Sequence, residues 1–196
     1  MKSHSIMKAV LAMVLSVSLL ATGCSAQWIS VALADLPVLT EMALNIAALA
    51  ATLQSGKQIS PAEAAAIQNI SAEGSRDLNL LQTLYNQYKA NPSAGGLQQI
   101  ESVIGAINQN LPALLQAAHI ADPILSARVT AAVNLILTTV TSFASLIPQT
   151  APTAQKTALR IAIPQAKDLK KQWNLQVCGP TGKAELDATL SVCAVK

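Results

Sequence analysis

Apolar residues recur every three or four positions along most of this chain. Short polar side chains followed by proline mark where the apolar stretches begin. These pairs are Asp35/Pro37, Ser60/Pro61, Asn110/Pro112, Asp122/Pro123 and Thr150/Pro152. Asp, Ser, Asn and Thr accept hydrogen bonds from the free amides of a first helical turn, and proline is tolerated there because its missing donor is not needed. At Ser60-Pro61-Ala62-Glu63 the glutamate completes a capping box. The pattern restricts the chain to an all-α fold, a multi-helix bundle of about five to six helices.

The first expected helix carries Leu36, Leu39, Met42, Ile46, Leu49 and Leu53, with Asp35 at its start and Ser55-Gly56 at its end. The second runs from about Pro61 to Lys89, with Gly74 as a point of kinking or splitting. Asn91 to Gly96 reads as a loop. The third carries Leu97 to Leu115, and Pro112 either kinks it or starts a new helix capped by Asn110. The fourth, about 123–147, is the most apolar: Val129 to Ile147 is 19 residues without a charge. That length suffices to span a bilayer. Its Thr130, Asn134, Thr138 and Ser142 favour the central helix of a bundle instead.

The fifth helix is expected from about Thr153 to Trp173. Lys156, Arg160, Lys167, Lys170 and Lys171 fall on one side of it, within an arc of about 100°, opposite Leu169 and Trp173. They are candidate contacts to an anionic surface, either lipid head groups or an acidic envelope polymer. The plainer reading is a solvated face of a bundle helix. Beyond Trp173, Cys178-Gly179-Pro180-Thr181-Gly182 is a turn by composition, and a short helix from about Lys183 to Val192 returns to Cys193. An even cysteine pair in an exported chain predicts a disulfide between Cys178 and Cys193, closing a C-terminal hairpin.

Export is indicated by the first 24 residues. Lys2 and Lys8 precede a 13-residue apolar run, Ala9 to Ala21, which ends in Leu20-Ala21-Thr22-Gly23-Cys24. The run is too short to span a bilayer and has the layout of a cleaved secretory signal. Its ending resembles the lipobox of bacterial lipoproteins, with Ala21 where that motif most often has leucine. The resemblance covers the signal alone. It implies that residues 1–23 are removed and that Cys24 carries the lipid (more than one acyl chain, palmitate among them) as the new first residue. Ser25, in place of aspartate, implies the outer membrane for a Gram-negative host and a domain facing the periplasm or exterior. Residues 24–34 are then expected as a membrane-proximal tether, and 35–196 as one helical domain.

Removal of the signal leaves 173 residues with 11 basic and 10 acidic side chains. A near-neutral exported domain is a poor fit to nucleic acid. Hydrophobic residues make up 52% of the chain and charged ones only 12%, which excludes a disordered chain. His119 is the one histidine of the mature chain, so a multi-histidine metal site is not expected. It falls where a helix end is expected. Glu73 and Asp77 are four residues apart and share a helix face, an unspecific acid/base arrangement. No phosphate-binding glycine loop, nucleophile elbow or dinucleotide fingerprint occurs. The expectation is a structural or interaction protein of the cell envelope, held by lipidated Cys24, without catalytic residues, metal or cofactor. An envelope protein or an anionic polymer or lipid is its expected partner. A carrier of an apolar ligand or lipid and a membrane-active helical protein are the alternatives.

Overall fold

A computed structural model describes residues 3–147 and 165–195, with side chains from Trp28 onward apart from that of Val192. Every regular element in these residues is helical. In chain order they are α1 (Ser3–Ser55), α2 (Pro61–Ala90), α3 (Ala94–Ala117), α4 (Pro123–Leu146), α5 (Ala166–Gln176) and α6 (Ala184–Leu190), followed by a 3-10 turn at Ser191–Cys193. The all-α bundle with a disulfide-closed C-terminal hairpin is therefore the fold.

Two of the proline signals act as local chemistry predicts. Ser60 caps α2: the Glu63 N–H donates to Ser60 Oγ at 3.2 Å and the Ser60 N–H donates to Glu63 Oε2 at 2.9 Å. Asp122 caps α4, its Oδ1 accepting the N–H groups of Ile124 at 2.8 Å and Leu125 at 2.9 Å. The Thr150/Pro152 pair lies outside the described residues.

Asp35 and Asn110 do not start helices, because α1 and α3 continue through Pro37 and Pro112. Tertiary packing overrides the local signal in both places. Upstream of Asp35, Trp28, Ile29 and Ala32 are buried in the core, and burying one large apolar side chain contributes about 1.5–3 kcal/mol. That offsets the roughly 3 kcal/mol cost of an interior proline. Of the stretch expected as a tether, 24–34, Trp28, Ile29 and Ala32 lie instead in the core. In α3, Leu111 is buried beside Pro112.

Gly74 does not split α2. It lies where three helices meet: a Cβ there would lie 3.7 Å from Ala43 Cβ on α1 and 3.6 Å from Leu111 Cδ2 on α3. Gly95 and Gly96 are not loop residues either. Ser93 caps α3, accepting the Gly96 N–H at 3.1 Å, so the loop shrinks to three residues, 91–93. Of the expected fifth helix, residues 153–164 lie outside the described residues; Gln165 has extended backbone and α5 begins at Ala166.

The hub of the bundle is α1 and not α4. Helix α1 packs on α2, α4, α5 and α6, whereas α3 packs on α2 and α4. From Trp28 onward α1 is long and apolar enough to cross a membrane, as is α4, and half of each is buried inside the bundle. The outward line of α4 is Asn134, Thr138, Thr141 and Ser145. At the end of the bundle nearest Cys24, Trp28 packs edge-on against Tyr85 with ring centroids 5.5 Å apart, and Tyr85 packs edge-on against Phe143 at 6.3 Å. Offset and edge-to-face aromatic pairs add about 0.5–1.5 kcal/mol each beyond their burial.

Candidate functional site

The C-terminal hairpin is the most heavily tied part of the surface. Cys178 and Cys193 are joined by a disulfide with Cα atoms 6.0 Å apart. Trp173, fully buried, donates its indole N–H to the Cys193 carbonyl at 2.8 Å. Asn174 and Val195 exchange two hydrogen bonds of 2.9 Å. Asn45 of α1 also donates to the Cys193 carbonyl, at 3.3 Å, which ties the hairpin to the hub helix. Arg128 of α4 donates to the carbonyls of Gln176 and Pro180.

Within the hairpin, the Asp187 carboxylate accepts from the Thr181 hydroxyl, the Thr181 N–H and the Gly182 N–H. These bonds, the Thr181 hydroxyl first, hold its pKa below the usual carboxylate range. Gly179 admits no side chain, because a Cβ would collide with the Leu175 carbonyl oxygen.

Where the hairpin meets the end of the bundle far from Cys24, the surface opens into a cleft of about 230 Å³. Its floor is apolar: Leu53 of α1, Ile59 of the following turn, Leu125 of α4 and Leu186 of α6. Its rim carries Asp122, Lys183 and Glu185. Lys183 Nζ stands 3.6 Å from Asp122 Oδ2, with the two side chains 57% and 36% exposed. Such an exposed ion pair contributes little on its own. Asp122 is held below the usual carboxylate range, first by the Leu125 N–H and further by Ile124 and Lys183.

The sequence pointed to the components of this cleft without bringing them together. Asp122 was legible as a helix cap and Lys183 as the start of the last helix. Their meeting requires the disulfide-closed return of the chain.

The other expected site residues are distributed as follows. Lys167, Lys170 and Lys171 lie on α5 across from the buried Leu169 and Trp173, with Lys167 and Lys171 exposed and Lys170 half-buried. Lys156 and Arg160 lie outside the described residues. The side chain of Cys24 is also outside them. His119 is exposed just past the end of α3, in left-handed backbone with φ 44°. Glu73 and Asp77 share the face expected, with Arg76 bridging both and Asn110 donating to Glu73 at 3.2 Å. Asp77 is raised above the usual range, chiefly by burial and then by the Glu73 charge.

Among the described residues no three His, Cys, Asp or Glu side chains gather as a metal site. Comparison with known proteins finds no matching family, no similar curated protein and no similar solved structure.

Proposed function

We propose that this chain is a lipid-anchored helical protein of the cell envelope that works by binding, as a structural or interaction module, and not by catalysis. The observation that carries the reading is the apolar signal ending on Cys24, only four residues ahead of Trp28 in the packed core. An acyl anchor at Cys24 would hold the aromatic end of the bundle against the membrane. Lipoproteins of this type carry more than one chain, and two chains give the stable attachment that a single chain does not. The cleft and the hairpin would then face away from the bilayer, toward soluble partners. The hydroxyl and amide groups along the outer line of α4 favour this arrangement over insertion of that helix.

Metabolic labelling with an alkyne fatty acid, followed by membrane fractionation, tests the reading. The wild-type chain is expected to be labelled and sedimented with membranes. Cys24→Ala is expected to be unlabelled and to leave the membrane pellet. A labelled Cys24→Ala, or an unlabelled wild type, would refute the anchor.

A further inference from the structure

The cleft at the far end of the bundle combines two kinds of lining that call for one kind of ligand. Its floor is four aliphatic side chains from three separate stretches of chain, Leu53 and Ile59, Leu125, and Leu186. All four are nearly buried, so a ligand covers only the part that the fold leaves open. Its rim has the neutral amide of Gln58 and both signs of charge, Lys183 with Asp122 and Glu185. A ligand bearing only an anionic group would meet two carboxylates, and one bearing only a cation would meet the Lys183 ammonium. A neutral ligand would cover the charged groups without replacing their water, which costs affinity.

The backbone around the cleft is also fixed before anything binds. Asp122 is locked as the cap of α4, and the chain leading into Lys183 is held by Asp187 through Thr181 and Gly182. The disulfide closes the other side of the hairpin. A preformed site spends little of its binding free energy on ordering.

We propose that this cleft binds a small aliphatic zwitterion, a free branched-chain amino acid being the simplest. Its side chain lies on Leu53, Ile59, Leu125 and Leu186, its carboxylate meets Lys183, and its ammonium meets Glu185. The loose 3.6 Å spacing of Lys183 and Asp122 leaves the ammonium of Lys183 able to turn toward an incoming carboxylate. The volume of about 230 Å³ is below the 300–1,000 Å³ of sites for drug-sized ligands and suits a molecule of this size. A ligand of so few atoms makes few contacts, which implies weak binding. The proposal goes beyond the envelope reading and does not depend on acylation of Cys24.

The test is a methyl-NMR titration of the mature chain, disulfide intact, with L-leucine, isoamylamine and 4-methylpentanoate. Leucine is expected to give saturable shifts at Leu53, Ile59, Leu125 and Leu186, and each singly charged analogue to bind at least tenfold more weakly. Lys183→Met is expected to weaken leucine about tenfold and to strengthen isoamylamine. Glu185→Gln is expected to weaken leucine similarly and to strengthen 4-methylpentanoate. The absence of saturable shifts up to tens of millimolar leucine overturns the proposal. Equal binding of the three probes to the wild-type chain overturns it as well, whatever the variants do.

Discussion

The carboxylate of Asp35, on the hub helix α1, accepts the backbone N–H of Ala166, the first residue of α5. Gln165, the residue in the N-cap position, makes no side-chain cap of its own, so α5 borrows its cap from another helix. The match is incomplete, because Asp35 is 1% exposed and its Oδ2 has no hydrogen-bond partner among the described residues. Burial pushes its pKa up from 3.8 to about 6, against the opposing effect of the Ala166 N–H.

A raised carboxylate pKa means that the folded state holds a proton which the unfolded state releases near pH 4. Stability from this group is therefore full below about pH 4, falls as pH rises toward 6, and stays low above. The shift corresponds to about 3 kcal/mol. Asp35→Asn keeps a carbonyl oxygen for Ala166 and removes the charge. Urea titration is expected to find it more stable than wild type at pH 7.5, with the gap closing below pH 4. Parallel pH profiles for the two proteins would contradict this.

Gly74→Ala is expected to stabilise the protein by about 0.5–1 kcal/mol. Alanine loses less backbone entropy than glycine in a helix interior. The new methyl group would sit at ordinary contact distance, 3.6–3.8 Å, from Leu111 and Ala43. A lower unfolding midpoint would mean that the three-helix junction has no such room.

Both effects separate what was legible in the sequence from what was not. Ser60, Glu63 and Asp122 were readable as caps because each acts on amides two or three residues away. Asp35 has the same chemistry but a different task, since Trp28 packs against Tyr85 and draws α1 backward past it. The disulfide followed from cysteine count and export. The cleft did not, because its floor and rim come from parts of the chain that only the closed hairpin brings together. Glu63 shows both kinds of relation at once: one oxygen serves its own capping box, and the other accepts the Ala121 N–H at 2.8 Å in the turn between α3 and α4.

Reduction of the Cys178–Cys193 disulfide removes a link spanning 15 residues. In the chain-entropy description this costs about 3 kcal/mol. The unfolding midpoint is expected to drop on adding dithiothreitol, while most of the far-UV helical signal remains below the new midpoint. Protein denatured without reductant is expected to take up no iodoacetamide at these two cysteines. Two adducts there would show that the link is not formed.

Trp28→Ala is expected to cost about 3–5 kcal/mol, the usual range for truncating a large aromatic in a core. Trp28→Phe is expected to cost much less, because the buried indole N–H has no partner among the described residues. If Trp28→Ala left the urea midpoint unchanged, residues 28–34 would belong to a tether after all.

The shared premise of the envelope reading is that the mature chain begins at an acylated Cys24. Intact mass spectrometry of protein extracted from membranes measures this directly. The account predicts a chain of 173 residues starting at Cys24 and heavier than its polypeptide by a glyceride and one further acyl chain. A chain that retains residues 1–23, or one that starts beyond Cys24 without lipid, would contradict it.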